Sequence, residues 1–330
     1  MRRISGQSLY LAAVVLIGGL VIGYVVWPEA QAGPRRLALE DIPFDGAAAY
    51  KYLREACDFG PRPSGSKAML AQRRWLVEHF KTCGAEVSLQ SFQVRHPLDG
   101  SAVPMANVVA RWHTARNQRV LLCAHYDTRP FPDRDLRKPK GVFVGANDGG
   151  SGLAVLMELA TRLAKLPGKL GVDVVLFDGE ELVFDEVGEY FLGASHFARE
   201  YVREQPETPY RWGVLLDMVG DADLHLFQEI NGLRWQDTRP LISSLWGTAR
   251  RLGVREFVAR RGSEVRDDHL PLHDIAQIPT CDIIDFDYPY WHTEQDTPRH
   301  CSPLSLAKVG WVLEEWLRQE STGNRPKDQP

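Results

Sequence analysis

Val172-Asp173-Val174-Val175-Leu176-Phe177-Asp178-Gly179-Glu180-Glu181 is an apolar run that stops at a glycine turn and two acids. A short run this rich in β-branched residues reads as a buried strand. Two adjacent carboxylates directly after a buried strand are costly unless nearby charge compensates them. A metal ion would hold one of them. The other would stay close enough to transfer protons, with a pKa tuned by burial and neighbours. A solvated acidic turn is the plainer alternative.

The same pattern recurs along the chain. The run 120–124 ends in His125-Tyr126-Asp127, and Leu215-Leu216 ends in Asp217. His125 two residues before Asp127 suits a metal ligand and the carboxylate that orients its ring; a solvent-facing pair is the alternative. Asp148 stands among Gly145, Gly149, Gly150 and Gly152. Glycines there let backbone and metal approach closely, although Asp148 would serve equally as an N-cap for the helix that follows. Asp267-Asp268-His269 adds two acids and an imidazole, and Tyr290-Trp291-His292-Thr293 closes the set. In an α/β protein, strand ends of this kind converge on one crevice. Carboxylates with imidazole are zinc chemistry, and three protein ligands with an open position describe a catalytic zinc.

Around these motifs the spacing predicts helices over 46–59, 67–84, 151–165, 191–204, 240–252 and 303–318. Strands are expected over 86–94, 106–112, 120–124, 172–177, 213–216 and 281–284. The alternation argues an α/β sandwich with a largely parallel core sheet. Residues 129–142 are polar and proline-rich, hence a loop. One catalytic domain over 39–320 is expected, followed by a frayed tail over 321–330.

Composition is that of an ordinary globular chain: 330 residues, 44% hydrophobic and 25% charged. The net charge is −4 and the basic residues are scattered, so no nucleic-acid partner is indicated. Short basic stretches such as 134–140 and Arg260-Arg261 read as solvated loops. Five cysteines, Cys57, Cys83, Cys123, Cys281 and Cys301, make no zinc-knuckle spacing and no disulfide framework. A bridge between Cys57 and Cys83 is conceivable in an exported chain.

Arg2-Arg3 precede residues 9–27, Leu9 to Trp27, which carry no charge. At 1.5 Å per residue that stretch spans about 28 Å, close to a bilayer core. It reads as one transmembrane helix with a cytoplasmic N-terminus over 1–8 and a linker over 28–38. Ala30-Gln31-Ala32 offers the alternative of a cleaved signal. Either way the catalytic domain is expected outside the cytoplasm, membrane-anchored or secreted.

Other templates fail: there is no His-Glu-x-x-His, no Walker loop and no Gly-x-Ser-x-Gly elbow. With the six clusters in hand, the chain resembles the zinc-dependent glutaminyl cyclases of the animal-type class with bacterial members. These share the fold of the co-catalytic di-zinc aminopeptidases. The resemblance runs from about residue 45 to 318. It implies a three-layer α/β sandwich with a mixed, mainly parallel central sheet. It implies one zinc on Asp148, Glu181 and His292. Glu180 matches the general acid/base, Asp217 and Asp267 the two further catalytic aspartates, and Trp291 a wall of the substrate pocket. The substrates implied are peptides or proteins beginning with Gln, converted to pyroglutamate with release of ammonia. In the aminopeptidases the positions of His125 and Asp217 bind a second metal, with Asp148 bridging. That enzyme is the alternative, and Asp127 would then support His125. An inactive binding module would need lost ligands, and none is lost. Two features depart from the animal enzymes. Phe184-Asp185-Glu186 stands where a second pocket Trp is expected, and Leu153 stands where the second Cys of a disulfide beside the zinc site is expected.

Overall fold

Every residue of the strand Leu170–Phe177 is buried, as a strand covered on both faces must be. The computed structural model describes residues 36–184 and 187–323. The segment read as membrane-spanning lies outside them, and no helix among the described residues is long and apolar enough to cross a membrane.

In chain order the elements are α1 (Gly46–Asp58), α2 (Lys67–Thr82), β1 (Glu86–Arg95), β2 (Ala102–Trp112), β3 (Gln118–His125), α3 (Ser151–Leu163), β4 (Leu170–Phe177), β5 (Val183–Phe184), β6 (Val187–Gly188), α4 (Leu192–Glu204), β7 (Tyr210–Asp217), β8 (Leu226–Gln228), α5 (Ile230–Arg234), α6 (Arg239–Leu252), β9 (Phe257–Arg261), α7 (His269–Asp274), β10 (Thr280–Ile284) and α8 (Pro303–Thr322). The central sheet runs β1-β2-β4-β3-β7-β10. The β1–β2 and β2–β4 pairs are antiparallel, while β4, β3, β7 and β10 run parallel. The sheet is mixed and mainly parallel, as the resemblance implied.

Helices cover both faces. On one, α4 and α7 close a core of Val109, Leu121, Cys123, Val175, Phe177 and Leu215 with Phe197 and Leu272. On the other, α3 lies against β3 and β7 and is flanked by α1 and α8. That approach requires Gly152, since a Cβ there would come within 2.2 Å of the Leu216 carbonyl oxygen and 3.1 Å of Ala124 Cβ. Helix starts follow the local chemistry. The side chains of Asp45, Ser66 and Ser302 accept the N–H groups of Ala48, Met69 and Leu304, which satisfies donors that a helix leaves unpaired.

Arg260 and Arg261 end strand β9, which pairs with β8, so the solvated loop expected there is a strand end; both are exposed. Cys57, Cys83, Cys123, Cys281 and Cys301 are all free thiols, and the conceivable Cys57–Cys83 bridge is not formed. Cys83 instead lies 3.6 Å from His79 Nε2.

Candidate metal centre and substrate cleft

The parallel strands deliver their acids and imidazole to one end of the sheet. β3 ends in His125, the turn after β4 carries Glu180 and Glu181, and β7 ends in Asp217. Asp148 arrives from the loop before α3, and His292 from the loop after β10.

Asp148, Glu181 and His292 each offer a ligand atom within 4.8 Å of the others. His292 Nε2 is 2.8 Å from Glu181 Oε1 and 3.4 Å from Asp148 Oδ2. His125, Asp148 and Asp217 form a second such group, with His125 Nε2 3.1 Å from Asp148 Oδ1 and 3.3 Å from Asp217 Oδ1. Asp148 therefore stands between two imidazoles. It is not the helix cap, because Gly150 occupies that place without a side-chain bond. Gly149, at φ +74°, makes room for the His125 ring: a Cβ there would lie 2.9 Å from Cε1.

Asp127 is fully buried and sets the acid pair. Its two oxygens accept the N–H groups of Glu180 and Glu181, each at 3.1 Å, and Oδ1 is 3.6 Å from His125 Nδ1. The Arg129 N–H donates to Glu181 Oε2 at 3.0 Å. Asp148 is steadied through its backbone, since the N–H groups of Asn147 and Asp148 donate to Asp296 at 2.8 and 3.1 Å. His292 and Met218 hold left-handed backbone conformations, φ +55° and +46°. For residues with a side chain this costs of order 1–3 kcal/mol and persists where the surroundings impose it.

The charges fit a cation. Asp148, Glu180, Glu181, Asp127 and Asp267 are buried together, and Asp148 Oδ2 has no hydrogen-bond partner among the described residues. Burial and repulsion from Glu181 push Asp148 up to about 6. Burial and Glu181 likewise hold Glu180 well above the usual carboxylate range. Burial opposes the His292 imidazolium, yet Glu181, Asp133 and Asp148 outweigh it and carry the ring to about 9. So many acids in a dry site are compensated by protons or by a metal ion. Two carboxylates and one imidazole suit zinc.

A cleft of about 510 Å³ opens beside this centre. Glu180, Asp217, Asp267 and Trp291 line it, as does His292. Trp291 packs against Phe286, with ring centroids 4.9 Å apart, and Tyr190 and Phe191 also face the cleft. Phe184 does not. It packs against the cluster of Val103, Met105 and Leu182, so the aromatic lining after the acid pair comes from Tyr190 and Phe191. Burial, Asp217 and Asp268 push the Asp267 carboxyl well above its ordinary range. His269 points elsewhere, 3.5 Å from Glu229 and 3.6 Å from Asp282.

All the expected ligands and acids thus meet at one place. Two participants were missed. Asp133 Oδ1 is 3.2 Å from His292 Nδ1, and it lies in a stretch read only as a polar loop. Asp296 sits 148 positions from the Asp148 N–H it binds, and no local pattern announces that contact.

The sequence model of Peptidase family M28 matches residues 107–317. The structure is similar to the crystal structure of Fimbriiglobus ruber glutaminyl cyclase: 38% identity, TM-score 0.80, covering 87% of this chain and 99% of that one. It is also similar to a Zn-dependent exopeptidase from Parabacteroides distasonis: 30% identity, TM-score 0.76, covering 86% and 99%. The glutaminyl-peptide cyclotransferase-like protein of Mus musculus is 25% identical over 360 residues, covering 95% of this chain and 90% of its own. The chain belongs to peptidase family M28 and stands among its glutaminyl cyclases.

Proposed function

We propose that this chain is a glutaminyl-peptide cyclotransferase, converting the N-terminal Gln of peptides or proteins to pyroglutamate. The observation that carries the reading is the cleft itself. Trp291 and Phe286 make an aromatic wall beside His292, and Asp217 and Asp267 line the same cavity. A Gln side chain entering amide first would meet both the candidate metal ligands and the two aspartates.

Asp148, Glu181 and His292 would hold one zinc, which as a Lewis acid would polarise the γ-amide oxygen. Glu180 takes a proton from the substrate's α-amine. The amine nitrogen bonds to the γ-carbonyl carbon, the bond from that carbon to the amide nitrogen breaks, and Glu180 returns its proton so that ammonia leaves. A carboxyl raised by burial suits both transfers. Burial and repulsion from Asp217 favour the protonated form of Asp267, and the two carboxyl groups, both lining the cleft, would together hold the leaving nitrogen. Ring closure is intramolecular, so effective molarities of roughly 10⁵–10⁸ M are available once the substrate is correctly folded in the cleft. Stoichiometric ammonia release from a peptide beginning with Gln tests the reading, and a Gln peptide that yields none overturns it.

The second reading is a two-metal aminopeptidase, favoured by the position of His125 between Asp148 and Asp217. Two tightly bound zincs per chain would support it, with Asp217 taken up as a ligand. We place the catalytic domain outside the cytoplasm, carried by residues 9–27.

A further inference from the structure

A second basin of about 290 Å³ adjoins the cleft and shares Val265, Ile284 and Phe286 with it. A substrate whose Gln side chain and amine lie at the metal end must send the rest of its chain out of the cleft. The shared apolar floor leads into this basin. Its outer wall is Arg260 and Arg261, both exposed. At the cleft's rim, Arg134 stacks on Trp291 at 4.3 Å and Arg266 stands exposed.

Among the described residues none of these four guanidinium groups has a carboxylate within ion-pair distance. Arg260 rests on the Phe227 ring at 5.1 Å. The acids nearby are largely committed. Glu264 pairs with Arg234 at 2.8 Å. The buried Glu229 accepts the N–H groups of Asn231, Gly232 and Val265. Among the described residues, Asp287 is the one exposed acid lining the basin, and no cationic partner lies within ion-pair distance of it. The rim is cationic on a chain whose net charge is −4, so it does not follow from overall composition.

Resting on the cyclotransferase reading, we propose that the basin walled by Arg260 and Arg261 is a subsite for substrate residues downstream of the reacting Gln, and that it selects acidic side chains. The aliphatic part of such a residue lies on Phe286 and Val265 while its carboxylate meets the guanidinium groups.

The test is a panel of Gln-initiated hexapeptides in which one Glu is moved through successive downstream positions, each with a Lys-bearing counterpart. The quantity read is the ratio of kcat/KM for the Glu peptide to that for the Lys peptide within one enzyme. Exposed ion pairs each contribute a few-fold at most, so the ratio is expected to reach about tenfold at one favoured position. It should invert in Arg260→Glu/Arg261→Glu and fall to near one in the milder Arg260→Gln/Arg261→Gln. A ratio that is equal at every position indicates only long-range attraction, and one unchanged in both variants places the selectivity elsewhere; either result overturns the subsite. The dipeptide Gln-Ala separates the two proposals. If it yields no pyroglutamate, the cyclotransferase reading fails; if it reacts and the position dependence is absent, only the subsite fails.

Discussion

Asp133 Oδ1 lies 3.2 Å from Nδ1 of His292, on the side of the ring opposite the nitrogen that meets Glu181. A carboxylate there fixes which ring nitrogen carries the proton and keeps Nε2 aimed into the centre. Such supporting carboxylates change metal affinity by about 10–100-fold. Asp133→Ala is expected to raise the zinc dissociation constant by that factor in competition with a chelator. Unchanged affinity would show that the Tyr290–Thr293 turn alone orients the ring.

Glu180 lies in the cleft with its N–H held by Asp127, while Glu181 beside it meets His292. Glu180→Gln keeps the shape and removes the proton acceptor. The variant should bind zinc and melt like the parent, yet lose roughly 10²–10⁴-fold in kcat. Near-normal turnover would end the proton-shuttle role.

Strands ending in acids or imidazole were legible because a buried apolar run followed abruptly by a polar, metal-ligating side chain makes a strong local contrast. β3 with His125, β4 with Glu180-Glu181 and β7 with Asp217 all lie where that contrast put them. The small pieces were not legible. The β8 and β9 strands and the short helix α5 are three to five residues each, too short to show a period. Asp133 and Asp296 were missed for another reason. Each is an acid in a polar stretch, and its role exists only through a partner far away in sequence. The second pocket Trp of the animal enzymes has no counterpart at Phe184, whose ring packs away from the cleft, and the aromatic lining from Tyr190 and Phe191 carries no sequence signal of its own.

Away from the centre, Glu158 is buried on α3. Burial raises its carboxyl from 4.5 to about 7, against the pull of Arg162. The folded protein then holds that proton more tightly than the unfolded chain does. Stability from this group is therefore greatest below about pH 4.5 and is lost as pH rises toward 7. Glu158→Gln should melt a few degrees above the parent at pH 8 and close to it at pH 5. An equal difference at both pH values would contradict the assignment.

The export proposal rests on the uncharged residues 9–27. Cells expressing the full chain should retain the enzyme in the membrane fraction after a carbonate wash. A soluble species beginning near Gly33 would replace the anchor with a cleaved signal.

The central claim is the choice of nucleophile: the substrate's own amine rather than water. It is tested most directly by incubating the purified zinc-loaded enzyme with two peptides in one tube, one beginning with Gln and one with Leu, and following both by mass spectrometry. The account predicts that the Gln peptide loses the mass of one ammonia while the Leu peptide stays intact. Free leucine released beside an unchanged Gln peptide would contradict it.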